Sequence, residues 1–129
     1  MEGETSRSGV GNDLFDGARS IKRIICPSRN AYRKLEAIKQ AVREHADNRL
    51  ILTMLGPTAK VLVYDLVQEG YRALDIGHID SEYEWFQMGA LHKVKLSHKH
   101  TAEHNFDQDI EFRDDQAYDS QIVANLAQE

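Results

Sequence analysis

A chain of 129 residues, 41% hydrophobic and 29% charged, has the make-up of one globular domain, not two. A formal net charge of -5 speaks against a nucleic-acid binder, which needs a basic face to displace counterions. The single cysteine, Cys26, rules out an intrachain disulfide framework and suits a reducing, cytoplasmic setting. No run reaches the ~20 apolar residues of a membrane span, and Met1–Arg7 lacks a signal-peptide core.

Residues 1–13 are polar and glycine-rich. Ser8-Gly9-Val10-Gly11-Asn12-Asp13 can be a frayed end or a ligand loop that offers backbone N–H groups. A lone Gly-x-Gly is a weak signal, and no strand precedes it. Leu14–Arg19 reads as a short helix capped by Asn12 or Asp13. Ile21–Cys26 reads as a strand stopped by Pro27. Asn30–Ala46 reads as an amphipathic helix, because Leu35, Ile38 and Val42 recur at spacings of three and four.

Leu50–Leu55 is nearly continuous in apolar residues, the pattern of a strand buried on both faces of a parallel sheet. Pro57 suits the first position of a helix, and Gly70 suits its left-handed cap. Tyr71–Ile76 is a third strand, Glu82–Ala90 a further helix and Val94–Leu96 a short extended piece. From Ser97 the chain turns polar, and a mobile surface loop is expected. Ile122–Leu126 could dock as a helical turn. Strands alternating with helices predict an α/β domain with a parallel sheet and right-handed crossovers. Three good strands make a thin sheet.

Three groups of residues could carry chemistry. Gly56-Pro57-Thr58 opens a helix at the carboxyl end of a strand, where ligands bind in open α/β sheets. Free N–H groups and the helix dipole favour a phosphate there, although an ordinary βα turn has the same form. Asp75, His78, Asp80, Glu82 and Glu84 follow the next strand. Asp80-x-Glu82 could share Mg²⁺ or Mn²⁺ with phosphate oxygens, or could simply place negative charge in a first helical turn. Of Tyr83, Trp85 and Phe86, at least two are expected in the core. His92, His98, His100 and His104 match no tetrahedral zinc spacing and are read as structural. Cys26, in a strand beside Pro27, is read as a core residue.

Four stretches, in order, are specific enough to compare with a family: Gly9-Val10-Gly11-Asn12-Asp13-Leu14-Phe15, Ile21–Pro27, Leu55-Gly56-Pro57-Thr58-Ala59 and Asp75–Trp85. On these the chain resembles the GT-D-fold glycosyltransferases of bacterial adhesin and polysaccharide glycosylation, over about residues 2–124. The resemblance implies an α/β, Rossmann-like three-layer sandwich with a small, mainly parallel sheet. It also implies a UDP-sugar donor, a divalent cation (Mn²⁺ or Mg²⁺) and transfer of a hexose to a glycan or glycoprotein. Carried over, Asp80 and Glu82 would bind the cation, and Gly56, Pro57 and Thr58 would approach the diphosphate. Arg7, Gly9, Gly11 and Asn12 would lie in the donor pocket, and His78 and Glu84 would assist the sugar or acceptor.

Family members are about twice as long. The chain therefore looks like a carboxyl-terminal half, without the family's Arg-Phe-Gly-Asp-Gly-Glu word, which could share the cation. Residues 1–96 are expected to form the nucleotide-sugar-binding part, with 97–129 as a polar loop and tail packed on it. An exposed sheet face or edge predicts a homo-oligomer or a partner chain supplying the other half. The alternative is an inactive remnant that binds nucleotide or a partner without turnover.

Overall fold

The computed structural model describes residues 1–102 and 107–128. The element order is β1 (Glu2–Gly3), β2 (Arg23–Cys26), a 3₁₀ turn (Ala31–Lys34), α1 (Leu35–His45), β3 (Leu50–Thr53), α2 (Pro57–Gln68), β4 (Arg72–Asp75), α3 (Ile79–Met88), α4 (Gln116–Gln121) and β5 (Ile122–Asn125). All strand pairs are parallel. β2 lies between β1 and β5, and β3 pairs with β4. A single parallel bridge, Glu2 to Met54, joins the two sheets. The resulting spatial order is β5-β2-β1-β3-β4, an α/β arrangement as expected.

The alternation of each strand decides which face meets the helices. Ile24 and Cys26 of β2, Ile51 of β3 and Ala73 of β4 pack into one core with Ile38 and Val42 of α1 and Leu62 and Leu66 of α2. Burial pushes the Cys26 thiol up to about 12, so it stays a protonated core group. The opposite face carries Arg23 and Ile25 of β2, with Leu50, Leu52 and Leu74. Over β1 and β2 this face is covered: Ser8 N–H and the Tyr118 hydroxyl both reach the Glu2 carboxylate. Over β3 and β4 it is open, leaving Leu50 48% and Leu74 51% exposed. The third layer of the sandwich is thus incomplete.

Several sequence expectations are corrected. Leu14–Arg19 forms no helix but two tight turns, closed by Asp16 N–H to Asp13 and Ala18 N–H to Phe15. So short a run before Gly17 cannot repay helix nucleation. Ile122–Asn125 is an edge strand on β2 and not a helical turn, since β-branched Ile122 and Val123 fit a pleated ladder. Val94–Leu96 forms no extended element. Only Trp85 of the aromatic trio is core; Phe86 is 78% exposed, and the Tyr83 hydroxyl bonds Asp13 at the surface. The helix expected from Glu82 starts at Ile79, which puts Asp80 in its first turn.

Candidate functional site

A cleft of about 1170 Å³ opens at the carboxyl ends of β1, β2 and β3. One wall is Gly56-Pro57-Thr58, and His78, Asp80, Ser81, His100 and Asp107 line it as well. Gly56 has φ 53 and ψ -140, a conformation that suits glycine, and nothing lies within 4 Å of where a Cβ would stand. No side chain caps α2. Pro57 has no N–H and Ala59 N–H donates to the Gly56 carbonyl at 3.1 Å, so Thr58 N–H is the first-turn amide without an acceptor among the described residues.

Beneath the cleft lies a buried charge cluster. Asp80 is 6% exposed, and its Oδ1 accepts from Gly9 N–H (2.8 Å), the Asn12 amide (3.0 Å) and Lys99 Nζ (3.1 Å). Asp80 Oδ2 lies 2.9 Å from the same ammonium, ion-paired but without a hydrogen bond among the described residues. Glu84, one helical turn on, meets Lys99 at 2.8 Å and the Asn12 amide at 2.8 Å. Lys99 also donates to the Val10 carbonyl at 2.9 Å. Burial alone would raise the Glu84 carboxyl; hydrogen bonds from Lys99 and Asn12 outweigh it and hold it below the ordinary carboxylate range. One lysine therefore fastens the 9–12 loop to α3.

Close by, His100 Nδ1 is 2.6 Å from Asp107 Oδ1. Thr5 Oγ1 donates to Asp107 Oδ2 at 2.5 Å, and His100 N–H donates to the Thr5 carbonyl at 2.8 Å. The three residues form a closed ring of contacts. The His78 ring lies 6.0 Å from that of His100.

The family model for "Glycosyltransferase GT-D fold" matches residues 1–104. The chain belongs to the GT-D-fold glycosyltransferase family. It is 95% identical over 129 residues to a "Probable glycosyl transferase Gly" of Streptococcus gordonii, covering 100% of this chain and 19% of that protein. It is 68% identical over 126 residues to "Glycosyltransferase GlyD" of Streptococcus pneumoniae serotype 4, covering 98% of this chain and 16% of that protein. A solved glycosyltransferase (DUF1792) from Streptococcus sanguinis superposes with TM-score 0.95 at 98% identity, over 98% of this chain and 47% of that one. The chain thus spans less than a fifth of these curated relatives and about half of that solved chain.

Within this GT-D chain, the expected site residues fall into two groups. Gly56, Pro57, Thr58, His78 and Asp80 line the cleft together. Arg7, Gly9, Gly11, Asn12, Glu82 and Glu84 are not among its lining residues. Arg7 turns instead toward the tail, donating to the Arg113 carbonyl at 2.6 Å and stacking on Phe112 and Tyr118. Gly9 and Asn12 hold Asp80 from behind, and Glu84 is taken up by Lys99. Glu82 is exposed. Two residues along a helix rotate a side chain by about 200°, so Asp80 and Glu82 leave α3 on opposite sides. As a pair they do not fit one cation, and Asp80 is already matched by an ammonium.

Among the described residues, no group of three or more His, Cys, Asp or Glu is placed to hold a metal. His98 and His100 lie apart in role, and His104 lies outside the described residues. Sequence reasoning missed Lys99, since a lone lysine in a polar stretch carries no pattern. It also missed Thr5 and Asp107. Their link to His100 spans about a hundred residues of chain in one case and seven in the other.

Proposed function

We propose that this chain is the donor-binding part of a glycosyltransferase that takes a UDP-sugar and passes its hexose to a glycan or glycoprotein in the cytoplasm. The observation that carries this reading is the uncapped amino-terminus of α2 at Gly56-Pro57-Thr58, open to a large cleft at the carboxyl ends of parallel strands. There the diphosphate would meet the Thr58 N–H and hydroxyl and the positive end of the helix dipole. A Mn²⁺ or Mg²⁺ ion belongs to the reading, and when bound it offsets charge on the diphosphate. Its protein ligands are not the Asp80–Glu82 pair, which α3 turns apart.

The experiment compares uridine, UMP and UDP by thermal unfolding. UDP at about 100 times its dissociation constant should stabilise the fold by about 2.7 kcal/mol, a rise of roughly 10 °C. UMP should give less and uridine least, because the helix end reads phosphate. A shift for UDP no larger than for uridine defeats the proposal.

The open face at Leu50, Leu52 and Leu74 supports a second element of the reading. The matched Streptococcus sanguinis chain is about twice as long, so we propose that a partner or a second copy covers this face. Sedimentation should show self-association at high concentration that weakens in Leu74→Lys. A monomer at every concentration would oppose this. The inactive-remnant alternative is favoured if UDP binds and no UDP-sugar is ever turned over.

A further inference from the structure

The geometry points to His100 as the group that takes the proton from the acceptor hydroxyl, an assignment that rests on the transferase reading above. Asp107 as a carboxylate can only accept, so the proton on His100 Nδ1 lies toward it at 2.6 Å. That fixes the tautomer and leaves the lone pair on Nε2. Thr5 locks both partners: its hydroxyl holds the far oxygen of Asp107, and its carbonyl holds the backbone N–H of His100. The ring is therefore held from both sides in a half-buried position on the cleft wall. Nε2 has no partner among the described residues. This is the arrangement a general base requires: an oriented imidazole with one nitrogen free and the other anchored to an acid.

The other candidates are less suited. Glu84 is consumed by Lys99 and Asn12 and does not line the cleft. His78 lines it but is exposed at the start of α3, with no hydrogen bond to orient it among the described residues. The titratable and charged groups around His100 in the cleft are Asp107, His78, Asp80, Glu4 and Arg29. Of these, only Asp107 touches its ring nitrogens among the described residues.

In the step itself, Nε2 takes the hydroxyl proton as the acceptor oxygen bonds to the anomeric carbon. The bond from that carbon to the diphosphate oxygen breaks, and UDP leaves with the electron pair. The protonated imidazole then returns its proton to solvent. With water as acceptor the same step hydrolyses the donor. Asp107 is a positioning residue in this scheme.

The test uses the full chain and UDP-glucose, with UDP release measured from about pH 5 to pH 9 and UDP binding measured separately. His100→Asn keeps a donor toward Asp107 but has no base. It should bind UDP within a few-fold of the parent and release UDP at least ~100-fold more slowly, with the acidic limb of the pH profile abolished. Added imidazole should restore part of the rate in His100→Ala. Asp107→Asn should slow release while leaving UDP binding within a few-fold of the parent, a split that a purely structural role would not give.

A parent chain that does not bind UDP removes the transferase reading and this inference with it. A chain that binds UDP but releases none from UDP-glucose at any pH overturns the inference and favours the inactive remnant, while leaving donor binding in place. A His100→Asn chain that keeps both rate and profile, with an active parent, overturns the inference alone.

Discussion

Replacing Lys99 with methionine is expected to destabilise the fold by about 3–5 kcal/mol at neutral pH, lowering the melting temperature by roughly 10–20 °C. Methionine keeps most of the side-chain volume but removes the charge. Lys99 has no exposed side-chain surface, and it alone supplies the cation for Asp80 and Glu84 among the described residues. Without it, Asp80 keeps only the Gly9 N–H and the Asn12 amide, and Glu84 keeps only the latter. Two carboxylates one helical turn apart would then repel each other in a poorly solvated place.

The pH dependence has a definite sign. Glu84 titrates below its ordinary range in the folded state. Its contribution is present above the unfolded value of about 4.3 and is lost as pH falls through the lower folded value. The gap between parent and Lys99→Met should therefore be widest near neutrality and narrow below about pH 4. Urea unfolding at several pH values measures it. A loss below about 1 kcal/mol at pH 7 would show that water, not Lys99, serves these acids.

Replacing Glu2 with alanine is expected to cost a similar amount, about 3–5 kcal/mol, and to loosen the carboxyl-terminal segment. Glu2 is 1% exposed in β1. Its Oε1 accepts from Arg23 Nη1 at 2.6 Å and from the Tyr118 hydroxyl at 3.1 Å, and its Oε2 accepts from Ser8 N–H at 2.8 Å. Arg23 also reaches the Ser8 carbonyl and Gln121, and it stacks on Tyr118. Removing the carboxylate strands a buried guanidinium and an amide N–H together.

The Tyr118 phenol, pushed above its ordinary pKa by burial first and then by the Glu2 charge, loses one of its anchors. Hydrogen exchange should accelerate across α4 and β5 before the core helices are affected. Glu2→Gln keeps the shape and one acceptor, so it should cost visibly less. Equal exchange in all segments would mean that the tail is held by β5 pairing alone.

Where local pattern and tertiary demand agreed, the chain's letters were enough. The apolar run at Leu50–Leu55 does form a strand, although not one buried on both faces as expected, since Leu50 is 48% exposed. The spacing of Leu35, Ile38 and Val42, and Pro57 with Gly70 around α2, likewise act within a few residues. Hence the βα units and the Gly56-Pro57-Thr58 turn were readable. The Asp80-x-Glu82 pair shows the limit. Two carboxylates two residues apart look adjacent in print, but starting α3 at Ile79 sends them to opposite sides. The tail shows another limit. Ser97–Thr101 reads as solvated, yet Lys99 is buried, because Asp80, Glu84 and the Val10 carbonyl from distant parts of the chain converge on it. Thr101 is buried too, with its hydroxyl accepting from Leu96 N–H.

By itself, then, the sequence determined the alternation of strands and helices and the Gly56-Pro57-Thr58 turn, set by periodicity and short-range stereochemistry, while four motif stretches in order carried the resemblance to the family. Only the tertiary structure decided which ionisable groups face the cleft and which neutralise one another. Charge pairing depends on distance in space, and Thr5, Asp80, Lys99, His100 and Asp107 become neighbours only when the sheet brings its strand ends together.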